Sequence, residues 1–430
     1  MFAIYRLLTL LLTPLALLWL QRGPVEPVAS AERGRWRERL GRVPTATPGR
    51  LWLHAASVGE VNAAAGLVRA LLSRGETILV STVTRSGATR CAELFGAAVE
   101  HRYLPLDNPL AVGAWLDRVQ PRLGLIVETE IWPELYARCK SRNIPLLLVN
   151  ARISAVAQRR YQRFRPLVAR ALSAVAQAVC QTETDAERLV GLGLPGTRVK
   201  LGGNLKFDFE PPAGLDERAR ALRQAWGRRP AWVAGSTRPG EEAILIEAHR
   251  RLRRNQPDAL LVLAPRHLER LDAVTRLLDG AGLMWCRLGE PMDATTAVVL
   301  IDRLGVLLEH YAAADAAFVG GSLVPMGGHN LLEPAALAKP VLAGPHLEQQ
   351  ADAARALGSG DGLLVVRDGD ELAAALAGLL GDQSLAQRRG SDAQAAVQSG
   401  RGSLRLTLAA LEPWLQRDGA GTTPPPGIPD

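Results

Sequence analysis

The sequence predicts an α/β protein of two Rossmann-like domains facing across a cleft, preceded by an apolar helix that anchors the chain to a membrane. Three observations carry this. The chain has 430 residues, too many for one ordinary hydrophobic core. Past residue 50, short apolar β-branched runs alternate with longer stretches of helical periodicity, which is the signature of βαβ units and a parallel sheet. At FDFEPPAGL, residues 207–215, the alternation is interrupted by Pro211 and Pro212 and then starts again.

The first element is MFAIYRLLTLLLTPLALLWL, apolar apart from Tyr5, Arg6, Thr9 and Thr13. About 20 apolar residues suffice to cross a bilayer, and no convincing small-residue cleavage site follows. Residues 1–21 are therefore expected to be a membrane anchor. Arg22, Arg33, Arg35, Arg37, Arg39 and Arg42 crowd the next segment. By the positive-inside rule they keep the body of the protein at the cytoplasmic face of the membrane, and they attract anionic headgroups. Arg6 and Pro14 leave open whether the anchor spans the bilayer or lies in one leaflet. The first domain, residues 22–210, has strands in LWLHAAS, TILVSTVT, LGLIVETE, PLLLVNAR and AVAQAVCQTET. The second, residues 211–416, has AWVAGST, ALLVLAPR, AVVLIDRL, AAFVGGSL and PVLAGP. Residues 417–430, rich in Pro and Gly, read as a disordered tail. Gly191, Gly193 and Gly196 spell GxGxxG, but the string follows a helical pattern, contains Pro195 and opens no helix, so it is not a dinucleotide fingerprint.

Composition narrows the partners. A net charge of +8 points to an anionic one. Aromatic residues make up only 5% and do not interleave with the basic ones, so there is no stacking platform for nucleic acid. Cys91, Cys139, Cys180 and Cys286 form neither CxxC nor zinc-type spacing, which suits a reduced, cytoplasmic compartment.

The richest segment is AFVGGSLVPMGGHNLLEPAALAKPVLAGP, residues 317–345. A strand ends in Gly320, Gly321 and Ser322; a second pair, Gly327 and Gly328, precedes His329 and Asn330; and a helix starts around Leu331. Glycines admit close backbone approach, and a helix N-terminus suits a phosphate. Glu333 is placed to accept from ribose hydroxyls. The plainer alternative is a pair of ordinary turns with Asn330 as N-cap. Two other strand ends, Pro265-Arg266-His267 and Gly235-Ser236-Thr237-Arg238, would stand at the same edge of the sheet. Together the three turns favour a nucleotide pocket.

The first half offers acids. In LWLHAASVGE, Ser57 and Glu60 have the spacing of a capping box, yet Glu60 also stands at a strand's carboxyl end, where open α/β sheets place ligands. Glu128 and Glu130 end the strand LGLIVETE and, two residues apart on it, are expected to point to the same face, one inward and hydrogen-bonded, the other toward the cleft. Asn150 and Arg152 end the next strand, completing a polar acceptor site. There is no Walker A motif, and Asp368-Gly-Asp370 reads as helix capping. No metal is required by any of these patterns; backbone amides and arginine would neutralise a leaving phosphate.

On these residues the chain resembles the 3-deoxy-D-manno-octulosonic acid (Kdo) transferases of Gram-negative lipopolysaccharide assembly. The matching motifs are ASVGE (56–60), ETEIWP (128–133), NARIS (150–154), GNLKFD (203–208), GST-x-PGEE, PRH, FVGGSL and GGHN-x-LEP, spread over nearly the whole chain to about residue 415. The resemblance implies a GT-B fold, association with the cytoplasmic face of the inner membrane, and metal-independent transfer of Kdo from CMP-Kdo to a lipid A precursor (lipid IVA) with inversion. It makes Glu60 the general base, in company with Glu128 and Glu130, and gives Pro265, Arg266, Gly305, Val306, Leu307, Asn330, Leu331, Leu332 and Glu333 to CMP. Arg238 stands where histidine is frequent in the family, and Leu331 where proline is usual. A start-of-helix position is expected to keep Glu60 ionised. The competing functions are a GT-B transferase using a UDP-sugar and a non-catalytic membrane-tethered nucleotide-binding scaffold.

Overall fold

The computed structural model describes residues 1–22 and 35–416; Arg33 and the tail at 417–430 lie outside the described residues. The chain divides into two compact units, one running up to Asp208 and resuming at Gly402, the other Phe209–Arg401.

Among the described residues the first unit contains, in order, α1 (Phe2–Arg22), β1 (Leu51–His54), α2 (Val58–Ser73), β2 (Ile78–Thr82), α3 (Arg85–Phe95), β3 (Glu100–Tyr103), α4 (Pro109–Val119), β4 (Leu123–Val127), α5 (Pro133–Ser141), β5 (Leu146–Ala151), α6 (Ala155–Gln162), α7 (Arg165–Leu172), β6 (Val175–Cys180), α8 (Glu183–Leu192) and β7 (Val199–Leu201). Its strands form one parallel sheet in the order β3-β2-β1-β4-β5-β6-β7. Side chains alternate across it as strand geometry requires. Trp52, Ile126, Leu146 and Leu148 enter one core layer, while Leu51, Leu53, Leu125 and Leu147 enter the other. A sheet covered on both faces explains why its central strands are unbroken apolar runs.

The second unit contains α9 (Leu215–Trp226), β8 (Ala231–Thr237), α10 (Glu241–Asn255), β9 (Leu260–Pro265), α11 (Leu271–Gly280), β10 (Trp285–Arg287), β11 (Val298–Leu300), α12 (Leu307–Ala313), β12 (Ala316–Val319), α13 (Leu332–Ala336), β13 (Val341–Ala343), α14 (Ala351–Gly358), β14 (Leu363–Val365), α15 (Gly369–Gly381) and α16 (Gln383–Ser399). Its parallel sheet has the order β10-β11-β9-β8-β12-β13-β14. Trp232, Leu261 and Leu263 pack on one face, Val233, Leu260 and Val262 on the other. Asp368 caps α15 by accepting from the amides of Asp370 and Glu371, as its sequence context predicts. The GxGxxG string is the end of α8, with Gly193 left-handed at φ 115°. All four cysteines are free and buried.

The last helix, α17 (Ser403–Leu415), differs from expectation. Sequence alternation assigns it to the second domain, whereas it packs on the first. Leu411 and Trp414 are buried with Leu51, Leu53 and Leu125. Asp208 accepts from the amides of Gly402 and Leu404 at 2.7 and 2.6 Å, and Gln177 donates to the Ala410 carbonyl at 3.1 Å. A helix after the last βα unit carries no periodic clue to which sheet it covers.

Nor does α1 have the character of a crossing helix: among the described residues no helix is long and apolar enough to cross a membrane. Its polar side chains face the first unit. The Tyr5 hydroxyl donates to Asp107 at 2.5 Å, Arg6 pairs with the fully buried Glu134 at 2.6 Å, and Asn108 donates to the Thr13 hydroxyl at 3.0 Å. Arg170 lies 4.4 Å over the Phe2 ring. Ile4, Leu7, Leu8, Leu11, Leu12, Leu15 and Leu18 remain exposed. Arg6 is therefore satisfied by a carboxylate of the fold rather than carried into lipid.

Candidate active site

In open α/β sheets ligands sit at the carboxyl ends of the strands where the strand order reverses. In the first unit that point lies between β1 and β4. β1 leads through Ala55 and Ala56 into α2, whose first turn carries Glu60. Glu60 bends back so that its Oε2 accepts from the Ala56 amide. The Ser57 hydroxyl is 3.4 Å from Oε1, a long contact, and caps nothing. The carboxylate thus closes the turn one residue earlier than a capping box would. Burial first, then the charges of Glu128 and Glu130, push its pKa up to about 8. Desolvation and like charge outweigh the helix dipole, so the expectation of a comfortably ionised Glu60 does not hold.

β4 stops at Val127, so Glu128 and Glu130 lie beyond the strand and the two-residue alternation does not apply to them. Glu128 has a left-handed backbone, φ 58°, and accepts from the Lys206 ammonium at 3.3 Å. Glu130 accepts from the Trp132 indole at 3.0 Å, and its carbonyl takes the Tyr136 hydroxyl at 2.6 Å. Beneath it the buried His54 has Nε2 3.7 Å from Glu130 Oε2, while Nδ1 lies 3.1 Å from the Ser81 carbonyl. Asn150 is fully buried; its Oδ1 accepts from the Leu205 amide at 2.9 Å, which fixes the turn that delivers Lys206. The Arg152 amide donates to the Thr129 hydroxyl at 3.2 Å, linking the two strand ends.

In the second unit the reversal lies between β8 and β12. Gly235 leaves room for a neighbour: a Cβ there would lie 2.0 Å from the Tyr311 hydroxyl and 2.9 Å from Leu307. Ser236 is left-handed at φ 57°. A Cβ on Gly320 would lie 2.5 Å from the Ser236 carbonyl, so the two strand ends touch through backbone. The turn after β12 is not an open phosphate cradle. The buried Glu241 fills it, accepting from the amides of Gly321, Ser322 and Leu323 at 2.7, 2.9 and 2.9 Å, and from that of Arg238 at 2.8 Å. Ser322 is buried too, its hydroxyl donating to the Val319 carbonyl at 2.5 Å. Gly328 and His329 fold back, donating to the carbonyls of Gly321 and Gly320 at 2.8 and 3.0 Å.

α13 has only five residues, and Asn330 already accepts from the Leu332 amide at 3.1 Å, so little helix dipole is available. Asn330 also donates to Glu333 at 3.1 Å. Leu331 and Leu332 bury their side chains, leaving only backbone to face a ligand. Gly305, at φ 88°, and Val306 lead into α12 beginning at Leu307. Pro265 ends β9, and the Arg266 amide donates to the Thr237 carbonyl at 3.0 Å. Arg238 joins the strand ends: Nε donates to His329 Nε2 at 3.1 Å and Nη1 meets His267 Nε2 at 2.5 Å. Burial, then Arg238, Arg266 and His267, lower His329 to about 4, so it is neutral near pH 7. Among the described residues no group of three or more His, Cys, Asp or Glu side chains is placed to hold a metal ion.

An acid cluster on one sheet and a basic cluster on the other fit group transfer from an anionic donor. The 3-deoxy-D-manno-octulosonic-acid transferase (kdotransferase) family model matches residues 34–209. The 3-deoxy-D-manno-octulosonic acid transferase of Bordetella pertussis is 38% identical over 423 residues, 94% of this chain and 97% of that one. That of Haemophilus influenzae is 36% identical over 402 residues, 90% of this chain and 94% of that one. The chain belongs to the 3-deoxy-D-manno-octulosonic acid transferase family. It is therefore a glycosyltransferase, and its two seven-stranded α/β units are those of a GT-B fold. A glycosyltransferase structure from Rickettsia africae shares the fold at TM-score 0.57 and 14% identity, over 87% of this chain and 100% of that one.

For this Kdo transferase family member, the structure gathers Glu60, Glu128 and Glu130 in one cluster. It gathers Gly235, Ser236, Arg266, Leu307, Gly320, Gly321 and His329 at one end of the other sheet. Four residues went unassigned in the sequence. His54 closes the quoted apolar run one turn before Glu60, and Lys206 lies inside GNLKFD; both signals were present as a polar side chain interrupting a motif. Glu241 is the acid of GST-x-PGEE that answers the GGS amides. Arg238, which stands where histidine is frequent in the family, makes two of the contacts that hold the strand-end loops of the second sheet together.

Proposed function

We propose that the chain transfers Kdo from CMP-Kdo to a lipid A precursor in lipopolysaccharide core assembly, inverting the anomeric centre without a metal ion. The observation that carries the catalytic role of Glu60 is its pKa near 8, set by burial and by Glu128 and Glu130. A general base works best when its pKa lies near the working pH. The acceptor hydroxyl attacks the anomeric carbon, its proton passes to the Glu60 carboxylate, and the C–O bond to CMP breaks with the electron pair leaving on the phosphate. Glu128 and Glu130 raise the basicity of Glu60, and Lys206 limits the repulsion among the three. Arg266 and the basic loops of the second unit offset the charge gained by CMP.

The same reading seats the enzyme at the cytoplasmic face of the inner membrane. The exposed leucines of α1 enter one leaflet while Tyr5 and Arg6 fix the helix to the fold, and the exposed Arg37 and Arg42 meet anionic headgroups; Arg39 is buried and donates to backbone carbonyls of the fold, and Arg35 pairs with Glu38, so these two do not. The test is a transfer assay with CMP-Kdo and lipid IVA, with UDP-sugars offered in parallel and with chelator present or absent, the product read by mass. Kdo added from CMP-Kdo, unaffected by chelator, is the expected result. Transfer only from a UDP-sugar, or loss of turnover with chelator that added metal restores, overturns the donor or the metal assignment respectively.

A further inference from the structure

Arg238 leaves β8 at the reversal point of the second sheet, where a ligand would be held. Its side chain is gripped by two imidazoles rather than by an acid. Nε donates to His329 and Nη1 to His267, so each histidine presents a lone pair at Nε2 and carries its proton on Nδ1. For His267 this agrees with the acceptor on its other side, Glu269, 3.1 Å from Nδ1. The two rings orient the guanidinium through their Nε2 atoms and bring no carboxylate to cancel its charge. The nearest buried acid, Glu241, is already taken up by four backbone amides, one of them that of Arg238 itself.

A guanidinium has five N–H groups in a planar fork. Two go to the histidines, and the rest have no hydrogen-bond partner among the described residues. Arg266 stands close enough to lower the pKa of Arg238, second only to burial, and its own guanidinium makes no hydrogen bond or ion pair among the described residues. Two guanidinium groups held near each other at a strand-end site, one of them braced by two imidazoles, have the chemistry of an anion receptor.

We infer that Arg238 is a donor-binding residue, its free N–H groups taking an anionic oxygen of the nucleotide sugar. The inference rests on the proposed donor class and deepens it. Phosphate and sugar carboxylate offer the fork the same paired oxygens, and both belong to CMP-Kdo.

The experiment compares full-length wild type, Arg238→Gln and Arg238→Lys with three probes: cytidine, CMP and CMP-Kdo, using calorimetry for the first two and steady-state kinetics for the last. Cytidine carries no anion and reports the integrity of the base and ribose site. The expected result is CMP affinity at least about tenfold lower in Arg238→Gln, cytidine affinity unchanged, and an intermediate value for Arg238→Lys. Unchanged CMP affinity with a tenfold higher KM for CMP-Kdo and preserved kcat assigns the sugar carboxylate instead and equally supports the inference. Equal loss of cytidine and CMP marks Arg238 as a mere brace for His267 and His329 and overturns it, as do unchanged values for both CMP and CMP-Kdo. Should wild type bind uridine nucleotides in place of cytidine ones, the donor assignment fails; the Arg238 inference is then judged by the same contrast between uridine and UMP.

Discussion

Replacing Glu60 by Gln removes the proton acceptor while keeping the turn that holds it. A carboxamide oxygen still accepts from the Ala56 amide, the bond that ties α2 back to the end of β1. With a pKa of about 8, wild-type Glu60 is ionised in roughly one molecule in ten at pH 7 and nine in ten at pH 9, so kcat/KM should climb about tenfold over that span. Glu60→Gln should lose about 10²- to 10⁴-fold in turnover and show no such limb. Glu128→Gln removes one neighbouring charge and frees the Lys206 ammonium. Both changes favour the ionised form, so its limb should move to lower pH. Stability follows with a fixed sign. The folded state holds the Glu60 proton between pH 4.5 and about 8, so this group's contribution is full below that window and lost as pH rises through it. Glu60→Gln should therefore gain in Tm on wild type as pH is raised from 5 to 9. The assay is the initial rate of product formation at acceptor concentrations well below KM, with thermal melts at matched pH. A Glu60→Gln enzyme of near-normal rate, or a wild-type profile flat from pH 6 to 9, refutes the base assignment.

Trp414→Ala empties a site shared by α17 and the first sheet, and should destabilise by about 3–5 kcal/mol in chemical denaturation, although residues 211–416 read in sequence as one domain. Gly235→Ala drives a methyl into the Tyr311 hydroxyl and should cost about 1–3 kcal/mol; adding Tyr311→Phe should recover part of it, measured by thermal melts of the single and double variants. Leu8→Asp combined with Leu15→Asp should reduce co-sedimentation with anionic vesicles several-fold while sparing turnover on detergent-dispersed acceptor, because both side chains point away from the fold.

How far the sequence foretold this fold depended on where each strand lies. The ten strands recognised as apolar runs include every central one, and burial on both faces is what makes them recognisable. The ones missed, β3, β7, β10 and β14, are the sheet edges. They have three or four residues each, and Glu100, His101, Arg102, Lys200 and Arg287 stand in them. Edges are kept short and charged against further pairing, which erases the hydrophobic pattern. At the candidate site the acids were visible as exceptions to apolar runs, but their pairing was not. That Glu241 would fill the amides after Gly320 depends on a contact across 80 positions, and no local pattern encodes it.

The two sheets reach their candidate sites by one backbone device. Three non-glycine residues at strand ends, Glu128, Asn150 and Ser236, have φ of 58°, 54° and 57°. Two of them coincide with breaks in register, Asn150 where β5 slips against β6 and Ser236 where β8 slips against β9. A left-handed residue costs about 1–2 kcal/mol relative to the ordinary strand conformation, less for Asn, and persists only where surroundings fix it. Those surroundings are on hand: Lys206 at Glu128, the Leu205 amide at Asn150, and the backbone of Gly320 against Ser236. The two breaks interrupt the ladder shortly before it ends, at Ala151 and Thr237, and with the left-handed Glu128 they free the next residues, Glu130, Arg152 and Arg238, from the strand alternation at the carboxyl edge. Strain of this kind does not serve stability, and its repetition where both strand orders reverse is a reason, independent of any charge, to place the chemistry there.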